Sequence, residues 1–131
     1  MSALTGGCLC GRVRYRVEAR PDNPHFCTCR QCQLASGAPV VAWVDFPAAS
    51  FVFDGPGGSP SWHRSSARTE RGFCPACGTS LAARDDGSAS ISVTLATLDD
   101  PAVATPVRTS FPDSAPPWLR LDLPGETEGR S

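Results

Sequence analysis

Cys27-Thr28-Cys29-Arg30-Gln31-Cys32 carries three thiols within six residues, spaced C-x-C-x-x-C, and is the centre of the cysteine pattern. Two pairs flank it, Cys8-Leu9-Cys10 near the start of the chain and Cys74-Pro75-Ala76-Cys77 downstream, which accounts for all seven cysteines. Tight turns at such spacing bring sulfur atoms within about 4 Å of each other, as tetrahedral zinc with Zn–S bonds of ~2.3 Å requires. The spacing therefore predicts zinc sites around which the chain is organised.

The two outer pairs predict a closed structural site. In Cys74-Pro75-Ala76-Cys77-Gly78, the proline fixes φ ahead of the turn and the glycine tolerates a positive φ after it. Cys8-Leu9-Cys10-Gly11 has the same trailing glycine. Two pairs supply the four ligands of a structural zinc site, here Cys8, Cys10, Cys74 and Cys77. The alternative is that these cysteines are free thiols or a redox pair.

The central cluster offers three sulfurs, which predicts a second zinc with one open position. Three protein ligands plus an exchangeable fourth are typical of catalytic zinc. A soft, thiolate-rich site favours an incoming thiol, which the metal would hold as a reactive thiolate. We therefore expect Cys27, Cys29 and Cys32 to be metal ligands and catalytic groups. Two alternatives stay open: a second structural zinc closed by His25 or a distant side chain, and bare redox-active cysteines.

The length and the two ends of the chain bear on its organisation and compartment. The 131 residues predict one domain over residues 1–131, with residues 125–131 as a disordered tail. The start of the chain has neither the basic nor the apolar run of a signal peptide, and no stretch approaches the ~20 apolar residues of a membrane span. We expect a cytoplasmic protein with no membrane partner, where reduced thiols favour metal over disulfides.

The charged residues exclude some functions. All 12 basic side chains are arginine, so lysine Schiff-base chemistry and conventional pyridoxal phosphate binding are excluded. No basic block stands out, and nucleic acid is not an expected partner. Seven thiolates with two zinc ions would add about −3 to the net charge. The arginines near cysteines in sequence are candidates to offset that charge or ordinary surface residues: Arg12, Arg14, Arg30 and Arg71.

Short alternating segments between turn formers predict an all-β fold with little helix. Strands are expected at 12–19, 40–46, 50–54, 61–68, 80–84 and 89–98. The expected irregular elements are a turn at 21–24, a cysteine-bearing loop, one helical turn at 31–36, a hairpin turn at 85–87 and an Asp-capped helix at 101–104. With 12 glycines and 13 prolines, a helical bundle is not expected.

Several other residues carry weaker signals. His25 is a candidate general base as well as a candidate ligand. Asp45 and Asp99 are candidate acid–base groups, although turn or cap roles are favoured for both. The tryptophans either line a pocket or, as we favour, pack in the core or over the surface: Trp43, Trp62 and Trp118.

The ordered set of motifs covers nearly the whole chain. It consists of Gly6 to Tyr15, Cys27 to Cys32 with Ala35-Ser36-Gly37-Ala38-Pro39, Arg71 to Leu81, Thr97-Leu98-Asp99-Asp100-Pro101, and Pro117-Trp118 with Asp122-Leu123-Pro124. This set resembles the glutathione-dependent formaldehyde-activating enzyme (GFA) family, also called centromere-protein-V-like. The resemblance implies a β-tent of small antiparallel sheets held by zinc. It also implies a structural site at the outer pairs and a catalytic site at the central cluster.

The resemblance further implies a reaction. The family joins glutathione and formaldehyde into S-(hydroxymethyl)glutathione, formally a carbon–sulfur lyase run in reverse, so the expected partners are a small-molecule thiol and an aldehyde or other electrophile. An oligomer is left open. Two further hypotheses remain: a non-catalytic zinc module that binds a protein or stores a thiol, and a glutathione-dependent enzyme for a larger electrophile. A deep pocket beside Cys29, lined by Trp or Phe, would favour the larger electrophile.

Overall fold

The computed structural model describes residues 2–123, and in that range it has ten strands and one short α-helix. The strands are β1 Leu4–Gly7, β2 Arg14–Val17, β3 Asp22–Cys27, β4 Val41–Pro47, β5 Phe51–Phe53, β6 Ser61–Arg64, β7 Thr69–Phe73, β8 Ser80–Asp85, β9 Ser90–Thr94 and β10 Thr109–Ser110. The helix is α1 Arg30–Ser36, and 3-10 turns follow at Ala48–Ser50, Leu95–Thr97, Pro101–Val103 and Pro112–Ser114. The predicted all-β class is confirmed. The expected disordered tail at 125–131 lies outside the described residues.

The strands form two sheets. One has three strands in the order β1-β2-β5, and the other has seven in the order β10-β3-β4-β9-β8-β7-β6. Neighbouring strands run antiparallel except at the edge, where the two-residue β10 pairs with β3 in parallel. An isolated bridge between Gly6 and Leu98 connects the small sheet to the segment that follows β9. No helix in the described range is long and apolar enough to cross a membrane.

The core lies where the two sheets face each other. On β2, Tyr15 and Val17 are buried, as the alternation predicts, and Arg16 between them is exposed. The Tyr15 ring stacks on Phe51 of β5 with the ring centroids 5.0 Å apart. Gly6 of β1 allows the close approach, since a Cβ there would lie 2.5 Å from the carbonyl oxygen of Thr97. Each large apolar side chain buried in this way stabilises the fold by roughly 1.5–3 kcal/mol.

Two local predictions are wrong, and both lie near the central cysteines. The expected turn at 21–24 is instead the start of β3, where Asn23 has a φ of 52° and the pairing with β4 shifts register. This bulge lets a strand pass through Asn23 and Pro24, which read as turn formers. The central cysteines do not lie on a loop, because Cys27 ends β3 and Cys32 lies within α1.

The remaining predicted elements are found with shifted bounds. The strand expected at 61–68 is the first half of a hairpin, since β6 ends at Arg64 and β7 begins at Thr69. The strand expected at 89–98 ends at Thr94 and continues as a 3-10 turn. The expected cap before residue 101 is present, because the Asp100 carboxylate accepts a hydrogen bond from the backbone N–H of Ala102 at 3.0 Å.

Candidate metal centres

The two outer cysteine pairs meet in space although Cys10 and Cys74 are 64 residues apart in sequence. The Sγ atoms of Cys8 and Cys10 lie 3.6 Å apart, and those of Cys10 and Cys74 lie 3.7 Å apart. The Sγ atom of Cys77 is the fourth of the group, and all four sulfurs are within 4.8 Å of one another. A tetrahedron with Zn–S bonds of ~2.3 Å has sulfur–sulfur edges of about 3.8 Å. The donors and their spacing therefore fit a closed tetrahedral metal site, and we call this group the four-cysteine centre.

Neutral donors surround the four-cysteine centre. The backbone N–H of Val13 donates to the Cys8 sulfur at 3.3 Å, and the hydroxyl of Thr79 lies 3.3 Å from the Cys77 sulfur. The Thr79 hydroxyl, followed by the Thr79 backbone N–H, lowers the pKa of Cys77 to about 5. Gly78 follows this turn with a φ of 83°, a conformation that glycine adopts without strain. The turns thus stabilise thiolate sulfurs with peptide and hydroxyl groups.

The central cysteines meet because a strand runs directly into a helix. Cys27 is the last residue of β3, Cys29 is the N-cap of α1 in an extended conformation, and Cys32 lies in the first turn. The Cys29 sulfur accepts a hydrogen bond from the Cys32 backbone N–H at 3.3 Å. The Sγ atoms of Cys27 and Cys32 are 3.4 Å apart, and all three sulfurs are within 4.8 Å of one another. We call this group the three-cysteine centre.

The described residues give the three-cysteine centre no fourth ligand. Among all described His, Cys, Asp and Glu side chains, the metal-binding group at this point contains the three sulfurs alone. His25 lines the adjoining cleft, and its Nδ1 lies 2.7 Å from the carbonyl oxygen of Asn23. Because a carbonyl oxygen only accepts, Nδ1 carries the proton and is occupied by this bond. The described side chains therefore bring three sulfur ligands together at this point and no fourth, as the open-site prediction expects.

Arg71 is the cation in contact with the three-cysteine centre. Its Nη1 and Nη2 atoms each lie 3.6 Å from the Cys32 sulfur. The pKa of Cys32 is lowered to about 5, first by the sulfur–sulfur hydrogen bond with Cys27 and then, against the opposing effect of burial, by Arg71. The same sulfur–sulfur contact raises the pKa of Cys27. Arg71 is therefore placed to compensate negative charge on the Cys32 sulfur.

A cleft of about 550 Å³ opens beside the three-cysteine centre. The apolar walls of the cleft are formed by Trp43, which is buried, and by Phe111, which is 64% exposed. The charged residues that line it include Asp85 and Arg30. The backbone at Phe111 has a φ of 56°, a rare conformation for an aromatic residue. Nothing in the sequence beyond an aromatic among polar residues marks Phe111.

The Phe111 segment is attached to the cysteines through Thr28. This buried residue stands between Cys27 and Cys29, and its hydroxyl donates to the Phe111 carbonyl oxygen at 2.6 Å. Its backbone N–H donates to the carbonyl oxygen of Ser110 at 3.1 Å. The rim of the cleft is therefore fixed relative to the sulfur cluster.

One family matches most of the chain. Residues 3–114 match GFA, described as glutathione-dependent formaldehyde-activating enzyme. The chain belongs to the GFA family. A crystal structure of a Rhodobacter sphaeroides protein, a structural genomics target, has a TM-score of 0.62 and 20% sequence identity, covering 81% of this chain and 99% of that chain. At that identity the likeness concerns the fold. No curated protein matches the chain.

The GFA match spans both cysteine centres, so the resemblance noted from the motifs is confirmed at the family level.

The two aspartates that the sequence offers as weaker acid–base candidates have other hydrogen-bond partners. Asp45 accepts hydrogen bonds from Asn23 and Ser92, and Asp99 accepts them from Arg14 and Thr5. The Arg14 guanidinium, and then the Thr5 hydroxyl, lower the pKa of Asp99. These contacts favour structural roles for both carboxylates.

The tryptophans have three different surroundings. Trp43 lines the cleft, and Trp62 packs against the core beneath the Arg84 guanidinium, which lies 3.7 Å from the ring centroid. Trp118 is 71% exposed beside a separate groove. His63 is exposed on β6. Of these residues, Trp43 is the one that lines the cleft at the three-cysteine centre.

Proposed function

We propose that the chain is a zinc-dependent enzyme of the carbon–sulfur lyase type, which activates a thiol such as glutathione for addition to formaldehyde or a related electrophile. The observation that carries the proposal is the difference between the two centres. One offers four sulfurs, whereas the other offers three and opens on a cleft. The description of the GFA family supports the choice of thiol and aldehyde.

The seven cysteines divide into two ligand sets in this proposal. Cys8, Cys10, Cys74 and Cys77 hold a structural ion, and Cys27, Cys29 and Cys32 hold the second. When bound at the three-cysteine centre, zinc supplies a Lewis-acidic position at which a thiol loses its proton. The chain keeps this position accessible, since Cys29 is partly exposed while Cys27 and Cys32 are buried.

The reaction is a balanced addition without oxidation or reduction. The thiol proton goes to solvent, the sulfur forms a bond to the aldehyde carbon, and the C=O double bond becomes a single bond. The oxygen takes a proton from water, which gives the hydroxymethyl thioether. The chain contributes positioning, because Arg30 and Asp85 give the cleft opposite charges that suit a thiol with both carboxylate and ammonium groups.

The test must separate catalysis from the addition that proceeds unaided in water. Exchange NMR between formaldehyde and S-(hydroxymethyl)glutathione measures both rates in one sample. Zinc-loaded wild type should accelerate the exchange, and Cys29→Ser should return it to the rate without enzyme. The matched control is Ala35→Ser, which places a hydroxyl at an exposed position of the same helix outside the ligand set and should keep the wild-type rate. Equal rates with and without wild-type protein would contradict the proposal.

A second candidate, a larger electrophile, is favoured by the apolar walls of the cleft. Formaldehyde needs no such surface, whereas Trp43 and Phe111 provide one beside Cys29. Phe111→Ala should then lower kcat/KM for an aromatic aldehyde by about 10-fold or more and leave the value for formaldehyde unchanged. Equal effects on both aldehydes, or no effect on either, would contradict this candidate.

A further inference from the structure

The guanidinium of Arg71 directs two nitrogen donors at one sulfur. Both Nη atoms lie 3.6 Å from Sγ of Cys32, within the range of N–H···S hydrogen bonds. Cys32 is 3% exposed, so water has little access to this sulfur. A buried thiolate needs donors that replace its hydration, and donors that carry charge are the stronger ones. The pair therefore has the geometry of a charge-assisted contact.

Three further contacts fix the orientation of Arg71. Its Nε donates to the Ser65 hydroxyl at 3.3 Å, and its guanidinium carbon lies 5.9 Å from the centroid of the Trp43 ring. Its backbone lies on β7 between β6 and β8, opposite His63 and Ala83. An arginine held on one side by a hydroxyl and on another by an aromatic face has less freedom than a surface arginine.

The other arginines close to cysteines in sequence have different partners. Arg14 makes two hydrogen bonds to the Asp99 carboxylate, at 3.0 and 2.5 Å, and Arg30 bonds to the side-chain oxygen of Gln33 at 3.2 Å. The four-cysteine centre receives hydrogen bonds from peptide N–H and hydroxyl groups. In the described structure a guanidinium thus contacts the centre with the open position, and neutral donors serve the closed one.

The guanidinium at the three-cysteine centre affects the net charge of that centre. Three thiolates and a divalent ion carry a net charge of −1, which Arg71 neutralises. A thiolate guest would then bring the local charge to −1, whereas without Arg71 it would reach −2 beside a buried sulfur, where uncompensated charge is costly. We propose that Arg71 is a positioning residue of the three-cysteine centre: it compensates the charge on Cys32 and so enables the fourth position to take an anionic thiolate. This inference rests on the proposed function of that centre.

Cobalt(II) titration of the full-length reduced protein tests the role of Arg71 without any activity measurement. Cobalt reports sulfur coordination through its charge-transfer absorption, and chelator competition gives the affinity of each equivalent. Arg71→Gln should keep the first equivalent and weaken the second by about 10- to 100-fold, as loss of outer-shell partners does. Arg71→Lys should lose less affinity because it keeps the charge but not the fork of donors.

The absorption band separates a direct contact from a general structural effect. N–H···S bonds stabilise the sulfur lone pairs, so their removal in Arg71→Gln should move the charge-transfer band of the second equivalent to longer wavelength. Glutathione added to the cobalt-loaded protein should shift the band of wild type at concentrations about 10-fold lower than those for Arg71→Gln. The control is Arg16→Gln, which makes the same charge change at an exposed ion pair with Glu18 and should match wild type throughout.

Each outcome decides a separate point. If wild type takes two equivalents and Arg71→Gln matches its affinity and band, the role of Arg71 is refuted while the proposed function stands. If wild type takes one equivalent, the three-cysteine centre and the role of Arg71 fall together. If Arg71→Gln binds no cobalt, Arg71→Lys decides: a second equivalent with a shifted band supports the inference, and a wild-type band overturns it.

Discussion

Replacement of Cys74 by serine should destabilise the fold much more than replacement of Cys29 by serine. Cys74 has no exposed surface and belongs to the core cluster, and its centre joins segments 64 residues apart through the Cys10–Cys74 contact. The three-cysteine centre joins Cys27 to Cys32, only five residues apart. The same chemical change therefore weakens the binding of an ion that links distant segments at one site and of an ion that links neighbouring residues at the other.

The two loops set the size of the difference. The chain-entropy relation for a cross-link gives about 4 kcal/mol for the 64-residue separation and about 2 kcal/mol for the five-residue one. A serine hydroxyl at position 74 would add the cost of an unpaired buried polar group, roughly 1–3 kcal/mol. At position 29, serine is a preferred N-cap and can accept the bond that Cys32 now donates to the Cys29 sulfur.

Urea unfolding of the zinc-loaded, reduced variants, followed by circular dichroism, measures the difference. With a slope of about 2 kcal/mol per M, Cys74→Ser should lower the midpoint by about 2 M or more, and Cys29→Ser by about 1 M or less. A chelator should bring wild type and Cys74→Ser closer together, because the metal supplies most of their difference. Equal midpoints for the two zinc-loaded variants would refute the division into a structural and an open centre.

Three further predictions concern metal content, alkaline pH and the meeting of the sheets. Metal analysis of the reduced protein should give about two zinc ions per chain; a value near one would contradict the open centre. Tyr15 is the only tyrosine and lysine is absent, so above pH ~9.5, where the thiols of the unfolded chain are already ionised, unfolding curves should report this phenol, whose pKa burial raises in the fold. Stability should fall above pH ~10, because the unfolded phenol releases its proton first. Tyr15→Phe should remove this fall at a cost of about 1 kcal/mol for the bond to Thr97, and an unchanged fall would show that another group titrates. Gly6→Ala should cost roughly 1–3 kcal/mol by thermal unfolding, because its Cβ would lie 2.5 Å from the Thr97 carbonyl oxygen; an unchanged Tm would contradict the close approach of β1.

Local periodicity and metal chemistry made much of the fold predictable. The alternation around Tyr15 identified β2 because a half-buried strand has a period of two residues. The cysteine pairs indicated that residues near 10 and 74 meet, which no local pattern could show, because two pairs supply the four ligands of one tetrahedral ion.

The missed features depend on contacts between distant segments. The sequence predicts no strand at β1, because glycines have low strand propensity and the fit of Gly6 and Gly7 in a strand comes from packing against Tyr15 and Arg14. The sequence predicts a turn at 21–24, where β3 begins, because Asn23 and Pro24 oppose a regular ladder, which the bulge accommodates.

The surroundings of the three-cysteine centre could be predicted only in part. Four arginines near cysteines were equal candidates from the sequence, and the pairing of β6, β7 and β8 places Arg71 at the Cys32 sulfur. Phe111 reaches the cleft through hydrogen bonds to Thr28, 83 residues away in sequence. Neither position has a local signal, because both result from the order of strands in the large sheet.

A crystal structure of the reduced, zinc-loaded protein soaked with glutathione tests the central claim most directly. We predict a glutathione sulfur about 2.3 Å from an ion held by Cys27, Cys29 and Cys32, with the four-cysteine ion unchanged. An ion at that position already bound by a fourth protein side chain, or the three cysteines linked as a disulfide under reducing conditions, would contradict the claim that this centre takes up a thiol.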